Sequence, residues 1–241
     1  MKLSIILPTY NEAGNIVMLV REILKVLPRD IEAEVLVVDD NSPDGTFGIV
    51  TEAFAANPNV RALLRTTDRG FAKSIRHGIE NAAGESILVM DTDFTHNPAE
   101  IPRLLHVGLA YDLVSGSRFC AGGNMQDRTH YLASLAFNWV LRVILRTQVQ
   151  DNLGGYFTIK REKIRQLPLG DIFYGYGEYF FRLLHFAQLS CFTIVEIPAQ
   201  YLDRKAGKSK SNFLKLLLSY TIAAVSLKIK YRKVGKPSGR Q

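Results

Sequence analysis

Glu85-Ser-Ile-Leu-Val-Met-Asp-Thr-Asp-Phe-Thr-His96 is an apolar run that breaks into a pair of carboxylates. After the Gly84 turn, Ser86–Met90 has the length and apolar continuity of a buried strand. Asp91 and Asp93 stand two apart where that strand meets its loop. Carboxylates at such a junction can hold a hard divalent cation, Mg²⁺ or Mn²⁺, which takes one or two of them and fills its shell with phosphate oxygens. A lone Asp-x-Asp is equally a capped turn with two solvated acids, so its meaning depends on the elements around it.

Those elements alternate. Lys2–Leu7 predicts a strand, Ile16–Leu27 a helix, Glu34–Val38 a strand, 46–56 a helix, Val60–Leu64 a strand and Gly70–Asn81 a helix. Pro98–Val107 predicts a further helix and Leu113–Ser115 a further strand. Apolar strands in βαβ alternation predict an α/β fold with a mostly parallel sheet covered on both faces. Ligands of such sheets sit at the carboxyl ends of the strands. Three polar loops fall there: Pro8–Glu12, Asp39–Asp44 and Asp91–Asp93. Tyr10 offers an aromatic face to a base, while Glu12 and Asp40 offer carboxylates to ribose hydroxyls or base nitrogens. The Asp39–Asp44 run could also be a plain Asx- and Pro-rich turn. The sequence has no GxGxxG after the first strand and no GxxxxGK[ST], which speaks against a dinucleotide dehydrogenase and a P-loop ATPase.

With 241 residues, the chain can build one sizeable α/β domain or two small ones. Cys120 and Cys191 lack metal or redox spacing and are expected as thiols in a reducing compartment. The N-terminus runs directly into a strand with no signal-peptide pattern, which favours the cytoplasm. The net charge of +7 is unevenly spread: residues 204–241 carry eleven Lys/Arg and no acid, against a net of −4 for the preceding 203. Such a basic tail suits anionic lipid head groups or nucleic acid. Nucleic acid is disfavoured, because the bases flank an apolar helix without the aromatic interleaving of single-strand binders. From Phe213 to Lys233, Lys215, Ser219, Ser226, Lys230 and Lys233 fall on one stripe, and the apolar run Leu216–Leu227 has 12 residues. A spanning helix needs about 20. An interfacial amphipathic helix is therefore expected, with packing on the domain core as the alternative. Tyr131–Leu145 is a second apolar stretch of the same two possibilities.

LPTYNE (Leu7–Glu12), VVDDNSPDGT (Val37–Thr46), MDTDFTH (Met90–His96), SGSR (Ser115–Arg118) and YLDRKAGKSKSN (Tyr201–Asn212) occur in that order. In combination they resemble the family 2 glycosyltransferases of GT-A type, and within these the dolichol- or polyprenol-phosphate mannose synthases. The resemblance spans about residues 3–212. It implies a catalytic domain over 1–212, followed by an amphipathic membrane-interface helix and basic tail over 213–241. It implies transfer of a hexose, most often mannose from GDP-mannose, to a polyprenyl (dolichyl or undecaprenyl) phosphate. The enzyme would be peripheral at the cytoplasmic face of a membrane, with a separate anchoring subunit possible. By position, Pro8, Tyr10, Glu12, Val38 and Asp40 match the nucleotide-binding residues. Asp91, Thr92 and Asp93 match the diphosphate site, Asp91, Asp93 and Thr95 the metal positions, and Arg118, Arg204 and Lys210 the phosphate-contacting bases. Arg128, Asp151, Glu178 and Lys208 are the acceptor-side candidates. Asp91, Asp93, Arg118 and Arg204 would carry catalysis.

The chemistry is coherent on its own terms. A metal bridging the diphosphate neutralises the charge that develops as the sugar leaves. A phosphate monoester has a second pKa of about 6, so the nucleophile is already ionised at neutral pH and needs positive charge rather than a strong base. A single in-line displacement inverts the anomeric centre. Two departures from the family pattern leave the sugar open. Phe157 stands in Asp151-Asn-Leu-Gly-Gly-Tyr-Phe157 where the family usually has Arg, and Arg182 stands where it often has Glu. Glu178, one turn earlier, could serve the site or pair with Arg182. His96 could touch the diphosphate, cap a helix or lie on the surface. The rival classes are a UDP-sugar-dependent transferase, to polyprenyl phosphate or a polysaccharide hydroxyl, and a non-catalytic nucleotide-sugar-binding module.

Overall fold

The computed structural model describes residues 1–125, 128–202 and 213–231, with the side chains of 128–130 and 213–215 outside that description. β1 (Lys2–Thr9), α1 (Ile16–Val26), β2 (Glu32–Asp39), α2 (Thr46–Ala53), β3 (Val60–Leu64), α3 (Phe71–Asn81) and β4 (Ser86–Val89) follow in the predicted order. The helix expected over Pro98–Val107 is split into a 3-10 turn, Pro98–Glu100, and α4 (Ile101–Gly108). Asn97 starts that turn, its side chain accepting the Ala99 N–H at 3.0 Å, and proline at the first helical position forgoes no bond. Then come β5 (Leu113–Ser117), β6 (Asn124–Met125), α5 (Arg128–Leu145), β7 (Phe157–Lys160), α6 (Arg161–Ile164) and α7 (Leu169–Ile172). α8 (Tyr179–Leu189), β8 (Ile194–Pro198), β9 (Gln200–Tyr201) and α9 (Phe213–Tyr231) complete it.

The main sheet has the order β3-β2-β1-β4-β7-β5-β8, and β6 pairs with β9 beside it. β1–β2, β1–β4, β2–β3 and β5–β8 are parallel. β7 is antiparallel to both of its neighbours, β4 and β5. The two-residue alternation of each strand divides the core. Ile6, Leu36, Val38, Ile87 and Val89 face one layer, with residues of α3, α5, α8 and α9. Leu3, Ile5, Leu7, Val35, Val37 and Leu88 face the other, with residues of α1, α2 and α4. The sheet is thus buried on both faces, as its nearly continuous apolar strands require.

α9 packs on the domain along one side, as the core-packing alternative for its segment has it. Tyr220, Ala224 and Leu227 are buried against the domain, while Leu218, Ile222, Val225 and Ile229 are exposed on the opposite side. α5 does the same, with Phe137, Leu141 and Leu145 inward and Leu132, Leu135, Trp139 and Val143 outward. Among the described residues, no helix is long and apolar enough to cross a membrane.

Candidate active site

The ends of β1 and β2 are stitched together by their loops. Buried Asp39 accepts from Ser42 N at 2.9 Å, Ser42 Oγ at 2.5 Å and Thr9 Oγ1 at 3.3 Å. Across the gap, Asn11 N donates to Ser42 Oγ at 2.9 Å, Glu12 N to Thr46 Oγ1 at 3.1 Å and Ala13 N to Asp44 Oδ2 at 3.0 Å. The Asp39–Asp44 run is therefore more than a turn: it fixes the loop that carries Tyr10 and Glu12. Partial burial works against the charged form of Asp44, but the Thr46 hydroxyl and the N–H groups of Ala13 and Thr46 hold its carboxyl below the usual range. Pro8 and Val38 are buried strand-end positions, and Tyr10 is exposed at the rim.

Asp40 is buried and already engaged. It accepts from Ser74 Oγ at 2.7 Å and Gly70 N at 2.6 Å, and pairs with Arg65. Its first effect is to fasten the β3–α3 loop to the tip of β2. Sequence reasoning missed Arg65, Ser74 and Gly70. The signal was available in the parallel register, which sets Asp39 beside Leu64 and so Asp40 beside Arg65.

The Asp-x-Asp loop lies at the tip of β4. Asp93 Oδ1 accepts from Thr95 N at 3.1 Å and Thr95 Oγ1 at 2.6 Å, an Asx-type turn that passes through Phe94 at φ 66°. Asp91 is 39% exposed, and Thr92 is buried. His96 is neither a surface residue nor a helix cap. It is buried, stacked on Tyr156 at 4.7 Å, with the edge of Tyr201 at 4.8 Å. Its Nδ1 accepts the Asp91 N–H at 2.8 Å, so the proton resides on Nε2, which donates to the Gly154 carbonyl at 3.1 Å. His96 thereby holds the backbone of Asp91 against the β5 side of the sheet.

That occupation of both ring nitrogens bears on metal binding. The imidazole is not available as a ligand, which leaves the carboxylates of Asp91 and Asp93 and an all-oxygen donor set. Among the described residues, no group of three His, Cys, Asp or Glu forms a cage. Two carboxylates at an open loop fit a hard cation that completes its shell with phosphate oxygens and water.

The opposite wall is an ion pair. Arg118 Nε and Nη2 donate to Asp151 Oδ2 at 2.8 Å and Oδ1 at 2.7 Å, and Arg118 N donates to Oδ2 at 3.1 Å. Burial alone would lower the guanidinium's pKa, but Asp151 outweighs it and the net shift is upward. Glu196 accepts from Gln150 N at 2.6 Å and Asp151 N at 2.8 Å, bracing this loop from β8. The Arg118 guanidinium lies 4.9 Å from the Tyr201 ring centroid. Tyr201 donates to the Gly154 carbonyl at 3.0 Å, and burial raises its own pKa well above the ordinary value. At Gly155, φ is 73° and a Cβ would lie 2.9 Å from the Tyr179 hydroxyl, so glycine is required there.

Both departures from the family pattern have structural explanations. Phe157 is on β7, fully buried and stacked on Phe180 at 5.3 Å. Arg182 is buried, donates to the Tyr174 carbonyl at 2.7 Å and stacks on the Tyr174 ring. Glu178 pairs with Arg182 at 3.7 Å and accepts the Tyr176 N–H at 3.0 Å. The structure thus brings together Tyr10, Glu12, Asp40, Asp91, Asp93, Thr95, Arg118 and Asp151 at the strand ends. Arg204, Lys208 and Lys210 lie outside the described residues, as does the side chain of Arg128 at the start of α5.

This arrangement, three stitched loops and an Asp-x-Asp at the carboxyl edge of an α/β sheet, is that of a nucleotide-sugar transferase. The chain belongs to glycosyl transferase family 2, whose sequence profile matches residues 4–167. It is similar to the undecaprenyl-phosphate mannosyltransferase of Micrococcus luteus, 34% identical over 218 residues and 87% of each chain. It is also similar to the dolichol-phosphate mannosyltransferase of Pyrococcus furiosus, 31% identical over 215 residues, 87% of this chain and 59% of that one. Glucosyl-3-phosphoglycerate synthase from Mycobacterium tuberculosis, solved with Mn²⁺, UDP and phosphoglyceric acid, shares the fold. Its TM-score is 0.70 at 18% identity, over 99% of this chain and 80% of that one. The same enzyme solved with Mg²⁺ and UDP gives a TM-score of 0.66 at 19% identity, over 99% of this chain and 81% of that one.

Proposed function

We propose that this glycosyltransferase moves mannose from GDP-mannose onto a polyprenyl monophosphate at a membrane surface, with inversion at the anomeric carbon. The mannosyltransferase relatives support the sugar and the acceptor class. The observation that carries the lipid acceptor is a two-helix apolar face. Phe137 of α5 packs by Tyr220 of α9, with ring centroids 6.5 Å apart, and the Lys228 ammonium reaches the Ile144 carbonyl. The helices therefore run side by side in the same direction. Leu135 and Leu218, Trp139 and Ile222, and Val143 and Val225 come at matching heights, all exposed, Trp139 by 64% and Ile222 by 57%. Apolar side chains exposed together in this way support a docking role for the face. Residues 204–241 carry eleven Lys/Arg and no acid, so an anionic bilayer is the complement of a chain segment with this composition. Unpaired Cys120 and Cys191 agree with the reducing, cytoplasmic side.

At the site, Tyr10 stacks the base, Glu12 and Asp40 face the nucleoside, and Asp91 and Asp93 hold the divalent cation, Mg²⁺ or Mn²⁺. When bound, that cation supplies charge neutralisation to the departing diphosphate. His96 keeps the Asp91 backbone in place. The acceptor phosphate is anionic at neutral pH and attacks without a base, so Asp151 serves as the counter-charge of Arg118. The phosphate-facing bases are then Arg204, Lys208 and Lys210. In support, Leu202 N donates to the Thr95 carbonyl at 3.0 Å, two residues before Arg204.

The test is a panel of labelled GDP- and UDP-sugars with a short polyprenyl phosphate, with and without EDTA. Lipid-linked β-mannoside from GDP-mannose, abolished by EDTA, is expected. Product only from UDP-sugars, or only with an alcohol acceptor, would replace this assignment, and donor binding without turnover would make the chain a binding module.

A further inference from the structure

The β3–α3 loop matches none of the donor positions implied by the family resemblance, yet it is fastened from three sides next to the Tyr10 platform. Arg65 donates to the Asp68 carbonyl, Gly70 N donates to Asp40 Oδ2 at 2.6 Å, and Lys73 pairs with the Asp68 carboxylate. Asp68 at φ 50° and Gly70 at φ 145° bend the chain sharply on either side of Arg69. Arg69 itself is exposed, and its guanidinium lies over the Tyr10 ring, 5.5 Å from the centroid. A pinned backbone therefore presents one long cation to the aromatic face at the rim of the site.

We propose that Arg69 is the residue that selects the nucleobase: it closes on the base stacked against Tyr10 and donates to the adjacent O6 and N7 acceptors of guanine. The proposal rests on the reading of Tyr10 as the base platform. Three physical points lead to it. Stacked carbon planes need roughly 3.5 Å on each side, about 7 Å in all, so a base cannot slide into the 5.5 Å gap. An incoming base instead displaces the guanidinium from the ring face toward its own edge, and the pinned loop keeps the side chain within reach. The Asp40 carboxylate at the inner wall already accepts three of about four possible hydrogen bonds. Much of the discrimination must then come from a group on the outer side. Finally, a guanidinium offers two parallel N–H groups that match paired acceptors, and guanine has such an edge whereas uracil has none.

The test is calorimetric binding of GDP, 7-deaza-GDP and UDP, each with Mg²⁺, to the full chain and to its Arg69→Ala and Arg69→Lys variants. In 7-deaza-GDP a carbon replaces N7 and nothing else changes. The wild-type chain should bind GDP about tenfold more tightly than UDP, with 7-deaza-GDP, which keeps O6 but lacks N7, between the two. Arg69→Ala should bind GDP and 7-deaza-GDP alike, and an unchanged thermal melting curve shows that the variant is folded. Arg69→Lys keeps the charge without the fork and should recover less than half of the preference on a logarithmic scale. Equal wild-type affinity for GDP and 7-deaza-GDP, or a preference that survives in Arg69→Ala, overturns the proposal. A wild-type chain that binds none of the three overturns the donor-site reading and this proposal with it.

Discussion

Replacing Asp151 by asparagine should cost the protein about 3–5 kcal/mol of stability, because it leaves a buried guanidinium without its counter-charge. The Asp151 side chain is 0% exposed and that of Arg118 is 9% exposed. Asp151 accepts four hydrogen bonds. Oδ2 takes Arg118 N at 3.1 Å and Nε at 2.8 Å, while Oδ1 takes Arg118 Nη2 at 2.7 Å and Leu153 N at 3.3 Å. A carboxylate has about four such sites, so all are in use. An asparagine amide offers one oxygen and one NH₂. Whichever way it is turned, its N–H groups face donors at a side chain that is 0% exposed. In a domain of this size each kcal/mol moves the melting temperature by about 2–4 °C, so a fall of roughly 6–20 °C is expected. Thermal melting followed by circular dichroism reads it. The paired variant Arg118→Met with Asp151→Leu should recover much of the loss, since apolar replacement of a buried ion pair is often neutral. If Asp151 were instead the base for a hydroxyl acceptor, the single variant would melt within about 2 °C of wild type while kcat collapsed. That result would refute the ion-pair reasoning.

Asp91→Asn combined with Asp93→Asn, or EDTA on the wild type, should lower transfer by at least about 10²-fold; steady-state kinetics checks this, and undiminished turnover would remove the cation from the mechanism. His96→Ala strips the acceptor from the half-buried Asp91 N–H, at about 1–3 kcal/mol for that unsatisfied group, while the Gly154 carbonyl keeps the Tyr201 hydroxyl as donor. The expected signature is a drop in kcat along with melting temperature, and a variant unchanged in both would show that the ring does not position Asp91. Acid stability offers another check through Asp112. Burial pushes its pKa up, but the Thr193 N–H and hydroxyl, with Lys163 and Lys160, bring the net shift below 3.8. A carboxyl depressed on folding contributes fully above its unfolded pKa and loses that contribution as pH falls through the folded value. Below pH 3.8, Asp112→Asn should therefore lose melting temperature less steeply than wild type, and parallel curves would count against the assignment.

The parallel half of the fold was readable because each of its strands is a continuous apolar run closed by a polar loop, and period and length suffice to place such runs. β7 was not. Its four residues follow a glycine pair with no turn signature of a hairpin, and it reaches its place between β4 and β5 only after the chain has returned through α5. No local pattern encodes that return. The site shows the same division. Tyr10, Glu12, Asp91 and Asp93 were visible because they end strands, whereas the roles of His96 and Arg65 depend on who sits opposite. His96 sits in MDTDFTH as one loop residue among others; its partners are 58 positions away in the chain at Gly154 and in the rings of Tyr156 and Tyr201. Phe157 and Arg182 looked like departures in chemistry and prove to be packing residues, which a motif comparison cannot separate from functional ones.

Charge accounting across the site points to where the acceptor must be held. Arg65 is matched by Asp40, Arg118 by Asp151 and Arg182 by Glu178, each as a buried or half-buried pair. An anionic acceptor approaching an anionic diphosphate gains little from cations already neutralised at close range, because the field of a tight ion pair falls off within a few ångströms. Further positive charge lies in the sequence outside the described residues: 203–212 contain Arg204, Lys205, Lys208 and Lys210 and one acid, Asp203. That run begins directly after Leu202, which is tied to Thr95 in the Asp-x-Asp loop. We infer a division of labour in which the body of the domain binds the donor, and the basic run that follows Leu202 supplies the positive charge that the lipid phosphate requires. Charge reversal at Arg204 and Lys210 should then raise KM for the polyprenyl phosphate far more than it lowers the melting temperature, and the reverse pattern would place their role in the fold.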